Sequence, residues 1–204
     1  AFHRGAQLAV FPEQALGGYP ALDLWEEREY AEANEKTLTS LAKKIRGTAA
    51  LVGYISRGNG RMGKPMRNSA ALLHNGKVMA VRHKTLLPTY DVFDEDRYFE
   101  PASAPKAIHL LGKNIGITIC EDIWNDEDFW PERLYRRDPI KELVSLKADL
   151  IINLSASPWH QGKELSRLAM LQKVARDEKI PVAQVNLVGA NDELIFDGHS
   201  VALD

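Results

Sequence analysis

The sequence lacks several features that define large classes of proteins. Only one of its 204 residues is cysteine, which rules out an internal disulfide framework and is typical of a reducing compartment. The formal net charge is −2, so neither a nucleic-acid-binding surface nor a membrane-binding face is indicated. The longest apolar runs have the length of strands, and residues 1–5 show no apolar core of a signal peptide. We therefore expect a cytoplasmic protein that binds neither nucleic acid nor membranes.

The chain instead contains strand-like and helix-like segments in alternation. Apolar, β-prone runs predict strands at residues 7–12, 48–55, 107–111, 114–119, 149–154, 180–188, 193–196 and 199–203. Apolar residues at helical spacing predict helices at residues 27–46 and 163–179, and a third helix that begins at Pro131 or Pro139 and runs to residue 147. This alternation predicts an α/β domain in which helices cover a sheet.

Turn-forming residues refine that prediction. Asn75 and Gly76 lie between two β-prone runs and predict a type I′ hairpin, so the sheet is mixed rather than purely parallel. Gly47 is expected to end the first helix. Residues 57–67, rich in glycine and basic residues, and residues 85–105, with three prolines, are expected to form loops.

Cys120 follows the β-branched run at residues 114–119 and precedes two acids, Glu121 and Asp122. A single cysteine at a strand end is often a small buried apolar residue. The two acids are poor neighbours for a purely packed position, and they favour a nucleophile that a buried strand brings to the mouth of a sheet. Because a thiol needs a base and no Cys-His-Asn arrangement is apparent, we expect the base to be a carboxylate.

Two other residues at strand ends can complete a catalytic set with Cys120. Glu13 is either a solvent-facing acid or a general base, and Lys84 is either a surface lysine or a cation placed at a developing oxyanion. A thiol, a carboxylate and an ammonium together suit attack on an amide. The carboxylate would take the thiol proton, Lys84 and the backbone N–H of Glu121 would stabilise the oxyanion, and water would cleave the thioester after ammonia leaves.

Three motifs occur in an order that resembles the nitrilase, or carbon–nitrogen hydrolase, superfamily. They are Val10-Phe11-Pro12-Glu13, His83-Lys84 and Ile119-Cys120-Glu121-Asp122-Ile123-Trp124. Longer runs narrow the resemblance to the glutaminase domain of glutamine-dependent NAD synthetases. These runs are residues 18–20, 87–95, 120–124, 153–160 and 186–198. The resemblance spans essentially the whole chain, and five motifs in order are much more specific than any one of them.

The resemblance implies a nitrilase-like α-β-β-α sandwich with mixed sheets in which Glu13, Lys84 and Cys120 converge. It also implies a second glutamate near this triad, which Glu95 matches. From the residues alone, Glu95 is equally a solvated acid in the acidic cluster at residues 91–96. The substrate that the resemblance implies is L-glutamine, whose side-chain amide would be hydrolysed through a thioester on the cysteine.

The resemblance further implies a set of substrate-binding residues. Glu121 would bind the α-amino group of glutamine, Tyr90 and Ser157 would line the pocket, and Lys163 would lie near the α-carboxylate. Read without the resemblance, Tyr90 is a loop-packing residue, Ser157 a turn residue before a proline, and Lys163 a solvated lysine at a helix start.

The histidines carry no part of the predicted chemistry. They and the single cysteine show no spacing typical of metal ligands, so no metal site and no cofactor are predicted for this domain. His160 and His199 are expected to be structural rather than catalytic.

The chain is expected to be a fragment of a longer protein. Residues 1–6 have the pattern of the last turn of a helix, and the family's N-terminal strand and C-terminal end are not apparent within residues 1–204. The resemblance implies a partner synthetase domain that uses ATP and Mg²⁺ to amidate deamido-NAD with the released ammonia, but its Ser-Gly-Gly-x-Asp-Ser phosphate loop does not occur here. A homo-oligomer is also expected.

Two other functions compete with the glutaminase prediction. One is a free-standing carbon–nitrogen hydrolase that acts on another small amide or a nitrile; the other is a catalytically idle scaffold. Residues 90–95 and 120–124 favour the glutaminase, and the intact set of Glu13, Lys84 and Cys120 argues against a scaffold.

Overall fold

Two β-sheets form the centre of the domain in a computed structural model that describes residues 1–58, 63–126 and 129–204. The first sheet has the order β1-β2-β3-β4, with β1 parallel to β2 and the other pairs antiparallel. Its strands are β1 (Leu8–Val10), β2 (Ala49–Arg57), β3 (Met66–His74) and β4 (Lys77–His83). Asn75 and Gly76 both have positive φ, 46° and 87°, which confirms the predicted type I′ turn between β3 and β4.

The second sheet has five strands in the order β11-β8-β7-β6-β5. Its three central strands are parallel and its two outer pairs are antiparallel. The strands are β5 (Ile108–Leu110), β6 (Lys113–Ile119), β7 (Leu150–Ser155), β8 (Val182–Asn186) and β11 (Val201–Leu203). A separate antiparallel ribbon consists of β9 (Val188–Asn191) and β10 (Leu194–Asp197).

The inner faces of the sheets pack against each other through buried aliphatic side chains. Leu51 and Leu72 of the first sheet belong to the same cluster as Ile117, Ile119 and Leu154 of the second. Because strand residues alternate between faces, the remaining apolar residues point outward and need helical cover. The helices are α1 (Arg28–Ala42), α2 (Glu95–Tyr98), α3 (Pro139–Ser145) and α4 (Lys163–Glu178).

Helices cover both outer faces. Leu38 and Ala42 of α1 pack with Val52 and Leu73 on the first sheet. On the second sheet, a cluster with Ile151 and Val182 joins residues of α3 and α4; its helical members are Ile140, Leu143, Met170, Leu171, Val174 and Ala175. These layers confirm the predicted α-β-β-α sandwich with mixed sheets. Among the helices of the described segments, none is long and apolar enough to cross a membrane.

Several predicted boundaries are wrong. The first helix ends at Ala42, not before Gly47, because the last turn tightens into Lys44 N to Leu41 O and Ile45 N to Ala42 O hydrogen bonds. The predicted strand at residues 180–188 is split between β8 and β9. Of the two prolines considered, Pro139 begins α3, where Asp138 caps the helix by accepting hydrogen bonds from two backbone N–H groups.

The two predicted loops are partly structured. Residues 85–105 contain the short helix α2, and Phe99 forms an isolated bridge with Met66. In the segment at residues 57–67, the ends belong to β2 and β3, and residues 59–62 lie outside the described part of the chain.

Candidate active site

Cys120 lies at the carboxyl end of β6, one of the three parallel strands of the second sheet. It begins a short 3₁₀ helix, Cys120–Ile123, and its φ of 42° is in the left-handed region that non-glycine residues seldom adopt. Its carbonyl oxygen accepts a hydrogen bond from Asn153 Nδ2 of the neighbouring strand at 3.3 Å. The strand therefore ends in a strained turn that holds a buried thiol at the edge of the sheet, where ligands bind in α/β folds.

Glu13 follows β1 and is buried, with a side chain that accepts three hydrogen bonds. Its Oε1 accepts from Lys84 Nζ at 2.9 Å and from Asn68 Nδ2 at 2.7 Å, and its Oε2 accepts from the backbone N–H of Ala156 at 2.9 Å. The contact with Ala156 joins this first-sheet residue to the loop that follows β7 of the second sheet. Glu13 therefore lies between the two sheets and is not the solvent-facing acid of the alternative interpretation.

Lys84 comes directly after β4 and is fully buried between two carboxylates. Its Nζ lies 2.9 Å from Glu13 Oε1 and 2.8 Å from Glu95 Oε1, and both ion pairs have side-chain exposures of 0–1%. Glu95 Oε1 also accepts a hydrogen bond from Tyr19 at 2.9 Å. The structure thus joins Glu13, Lys84 and Glu95 in one buried ion-pair group, and the buried thiol of Cys120 lies near enough for all three charges to affect its pKa.

The charges in this group alter the pKa of each other. Burial, followed by the charge of Glu13, raises the pKa of the Cys120 thiol well above its usual value, and Lys84 only partly opposes this. Burial alone would lower the pKa of Lys84, but Glu13 and Glu95 raise it well above the usual value. Burial raises the pKa of Glu95 to about 7, with Lys84 lowering it and Glu13 raising it further. The resting site therefore holds a neutral thiol and a charged ammonium, and needs a base to make a thiolate.

A cavity of ≈ 530 Å³ opens beside Cys120 and is lined by all four residues predicted to bind substrate: Tyr90, Glu121, Ser157 and Lys163. Glu121 is buried, and both of its oxygens lie 2.9 Å from the hydroxyl of Tyr90. Lys163, the first residue of α4, places Nζ 5.8 Å from the ring centroid of Trp124. Burial lowers the pKa of Lys163.

The cavity lining carries groups of opposite charge. Burial raises the pKa of Glu121, while Lys84 and the phenols of Tyr90 and Tyr135 favour its carboxylate form. Glu121 thus offers an acceptor for an ammonium group, and Lys163 a donor for an anion. Ser157 lies between the strands and the cavity, with its N–H bonded to Asn186 Oδ1 at 2.8 Å.

Several residues of the site were not predicted from the sequence. Asp122 is buried and accepts hydrogen bonds from the N–H groups of Thr85 and Leu86, at 2.9 and 2.8 Å, and of Ile119, at 2.9 Å. It therefore ties the segment after Lys84 to the strand end before Cys120. Burial raises its pKa to about 6. The sequence contained a signal for Asp122, since an acid next to an apolar strand end is unusual. Its partners Thr85 and Leu86, however, are far away in sequence.

Asn68, Tyr135 and Asn153 were also missed as site residues. Asn153 belongs to a buried polar row across β6, β7 and β8, in which its amide contacts Thr118 at 3.0 Å and Gln184 at 3.0 Å. Consecutive polar residues within an otherwise apolar strand, such as Asn68 with its neighbour Ser69, were the available signal.

The contacts of His160 and His199 are with residues other than the four predicted to be catalytic. His160 lines the cavity wall and contacts the carbonyl oxygen of Gln161, while His199 lies 2.8 Å from an oxygen of Asp197. Within residues 1–58, 63–126 and 129–204, no group of three or more histidine, cysteine, aspartate or glutamate side chains could hold a metal ion.

The fold and this geometry agree with the comparison to known families. The family model "Carbon-nitrogen hydrolase" matches residues 1–204, and the chain belongs to that family. A strand-end cysteine, a glutamate and a lysine in one buried group are the arrangement that the sequence resemblance implied.

Relatives within the family narrow the class. The chain is 45% identical to a glutamine-dependent NAD(+) synthetase of Synechocystis and 38% identical to one of Thermotoga maritima, over 98% of its length in each case. These alignments cover 37% and 33% of the two relatives, so the chain spans about a third of their length.

Solved structures give the same result. A glutamine-dependent NAD+ synthetase from Acinetobacter baumannii, solved in complex with ADP, superposes with a TM-score of 0.86 at 31% identity, over 98% of this chain and 35% of that one. An amidase from Nesterenkonia superposes with a TM-score of 0.77 at 23% identity, over 100% of this chain and 71% of that one, which shows a shared fold. The predicted resemblance to the glutaminase portion of such synthetases is confirmed.

Proposed function

We propose that the chain is a glutaminase domain that hydrolyses the side-chain amide of L-glutamine through a thioester on Cys120. The observation that carries the proposal is Lys84, held between two buried carboxylates whose charges act on Cys120, while Cys120 itself lines a cavity that also contains Glu121 and Lys163. The thiol, the ammonium and the carboxylates are suited to attack on an amide. Glu121 and Lys163 complement an α-amino acid, because they place a hydrogen-bond acceptor and a cation in one cavity.

The chemistry follows from the protonation states. The thiol is neutral at rest, so Glu13 takes its proton as sulfur attacks the amide carbon. The ammonium of Lys84 and the backbone N–H of Glu121 stabilise the oxyanion of the tetrahedral intermediate. The carbon–nitrogen bond then breaks, Glu13 returns the proton to nitrogen, and ammonia leaves.

The second half of the reaction restores the enzyme. Glu13 takes a proton from water, whose oxygen attacks the thioester carbon. The carbon–sulfur bond breaks, the proton returns to sulfur, and glutamate is released. Glu95 keeps Lys84 charged and in place throughout, since it forms the second ion pair of that ammonium.

Substrate recognition uses other residues that line the cavity. Glu121, whose carboxylate is oriented by Tyr90, would accept hydrogen bonds from the α-ammonium group. Lys163 would pair with the α-carboxylate, and Ser157 would line the pocket near the side-chain amide. Lys163 is held at the start of α4, so the distance between the two recognition groups is set by the fold.

We further propose that the ammonia serves a synthetase domain of the same polypeptide. The support is that the aligned relatives are named glutamine-dependent NAD(+) synthetases and are about three times as long as this chain. In this proposal residues 1–204 are the glutaminase domain, and the partner domain uses ATP and Mg²⁺ to amidate deamido-NAD. A cytoplasmic location and a homo-oligomeric assembly complete the proposal; fractionation and sedimentation measurements of the full-length protein test them.

A substrate panel tests the glutaminase activity. Ammonia release would be measured for L-glutamine, D-glutamine, L-asparagine, glutaramate and propionamide. We expect kcat/KM for L-glutamine to exceed each of the others by about a hundredfold, because only L-glutamine satisfies both recognition groups. Preference for propionamide would favour a free-standing amidase, and no turnover of any amide would favour a scaffold.

A further inference from the structure

Asn68 contacts every charged member of the catalytic group. It lies on β3, is 1% exposed, and donates its amide Nδ2 to Glu13 Oε1 at 2.7 Å and to Glu95 Oε2 at 3.5 Å. Its backbone carbonyl accepts the N–H of Lys84 at 2.9 Å. A single neutral side chain therefore lies between two carboxylates that would otherwise repel each other.

The orientation of the amide is dictated by its surroundings. If Asn68 Oδ1 faced Glu13 and Glu95, it would lie against two carboxylate oxygens, and none of the three atoms could donate a hydrogen bond. Nδ2 must therefore point to the carboxylates. Asn68 Oδ1 is then buried with no hydrogen-bond partner among the described residues. Leaving a buried oxygen unpaired costs stability, so the residue is better explained by what its donor does than by its contribution to folding.

The hydrogen bonds on Glu13 decide which of its oxygens can act. A carboxylate offers about four acceptor positions, two on each oxygen. On Oε1 both are used, by Asn68 and Lys84, whereas Oε2 accepts only from Ala156 N–H among the described residues. One acceptor position remains on Oε2, and it is available to a thiol or water proton.

We infer that Asn68 is a positioning residue that keeps Oε1 of Glu13 occupied, so that Oε2 of Glu13 is the oxygen that acts as the base. The inference rests on the proposed glutaminase mechanism and adds the residue that selects which oxygen of its base acts. The titratable and charged groups around Glu13 are Lys84, Glu95, Tyr19, Cys120 and Glu121.

The test compares Asn68 variants with a matched buried asparagine elsewhere. Asn68→Asp keeps the size but replaces the donor by an acceptor, and Asn68→Ser keeps a small polar group that is too short to reach both carboxylates. Asn34→Asp is the control, since Asn34 is 5% exposed and its side chain bonds to the backbone of Tyr30 and Ile55, which are not part of the catalytic group. Thermal unfolding and circular dichroism identify which variants are folded at the assay temperature.

We expect both Asn68 variants to lower kcat for glutamine by about a hundredfold with KM within about threefold of the parent. The acid limb of the pH profile of kcat should move to higher pH by half a unit or more, since the carboxylate form of Glu13 loses a hydrogen bond. The rate of Cys120 alkylation by 2-chloroacetamide should fall in parallel, and Asn34→Asp should retain the parent profile.

A folded Asn68→Ser protein with kcat within threefold of the parent and an unmoved acid limb overturns the inference. If Asn68→Asp does not fold, Asn68→Ser decides by the same criteria; if neither folds, the role is structural and the inference is wrong. Failure of the proposed function gives a different result, because the parent itself would then release no ammonia from glutamine.

Discussion

The domain contains two buried ion-pair clusters that are built alike and behave differently. In the first, Lys84 pairs with Glu13 and Glu95 at 2.9 and 2.8 Å. In the second, Arg167 of α4 donates from Nη2 to both oxygens of Asp197 at the end of β10, at 3.1 and 3.0 Å. Each cation is 2% exposed or less, but the side chain of Glu95 is 1% exposed whereas that of Asp197 is 10% exposed.

The deeper burial of the carboxylates in the first cluster and their greater number per cation make the difference. Burial would raise the pKa of Asp197, but hydrogen bonds from His199 and Arg167 hold it below its usual value. In the first cluster one ammonium serves two carboxylates, and the pKa of Glu95 rises to about 7. A one-to-one pair keeps its charges fixed, whereas the added carboxylate leaves a proton that can exchange near neutral pH. The first cluster is suited to catalysis and the second to holding the ribbon against α4.

The largest effect should follow from removing the thiol of the first cluster. Cys120→Ala should abolish ammonia release from glutamine and labelling by a glutamine-mimicking diazoketone, because the chain contains no other cysteine. Intact-mass spectrometry should show one adduct per chain in the parent and none in the variant. An adduct that persists in the variant would show that another residue is the nucleophile.

Removing each cation should separate the clusters by function. Lys84→Ala should lower kcat by about a hundredfold or more, as expected when a contact to the oxyanion is lost. Arg167→Ala, the matched removal of a buried cation, should lower the unfolding temperature but reduce kcat by less than tenfold where it is folded. A Lys84→Ala rate within about twofold of the parent contradicts the oxyanion role.

The link between the two catalytic segments should matter less than the catalytic groups themselves. Asp122→Asn should lower kcat by about tenfold, since an amide can accept from Thr85 and Leu86 only by turning a donor toward the N–H of Ile119. The matched control is Asp138→Asn, whose carboxylate also accepts two backbone N–H groups but caps α3 away from the cavity. If steady-state kinetics show equally small decreases in kcat for both variants, Asp122 has no positioning role.

The exchangeable proton of the first cluster should appear in the dependence of stability on pH. Because the pKa of Glu95 is raised from 4.5 to about 7, the folded chain binds more protons than the unfolded chain between these values. The free energy of unfolding should therefore fall as pH rises through this interval, by on the order of 2 kcal/mol. Glu95→Gln should remove that decline in urea titrations from pH 4.5 to 7.5; an unchanged slope would contradict the raised pKa.

The smallest effect is expected at the solvent side of the second cluster. His199 bonds to Asp197, but its side chain is 63% exposed. His199→Ala should lower the free energy of unfolding by less than about 1 kcal/mol, because solvent screens exposed pairs. Glutamine hydrolysis should stay unchanged, and a loss above tenfold would show that the second cluster contributes to catalysis.

Local patterns were the best guide to the fold. The Asn75-Gly76 hairpin depends on two residues whose own backbone preferences dictate the turn, and it was predicted correctly. The end of α1 was predicted incorrectly. Arg46 donates to the carbonyl oxygens of Lys43 and Ile45 and stabilises a tightened turn before Gly47. Such side-chain contacts are not visible in periodicity.

In the candidate site, too, the sequence does not reveal side-chain contacts, here between residues that are far apart along the chain. Motifs at strand ends pointed to Glu13, Lys84 and Cys120, since these residue types together suggest amide chemistry, whereas Glu95 was predicted only from the family resemblance. Asn68 was missed because its importance lies in contacts with residues 55 and 27 positions away in sequence. Its local sequence shows only that two polar residues, Asn68 and Ser69, follow each other within an otherwise apolar strand.

The sequence by itself determined the class of the protein: its strand and helix order, its hairpin, and the chemistry of the residues at its strand ends. Only the tertiary structure decided how protons are distributed among them. That distribution depends on burial and on distances of 2.7–2.9 Å between Asn68, Lys84 and the carboxylates they bind. Electrostatic energies in a buried site change steeply with such distances, and two packed sheets are needed to set them.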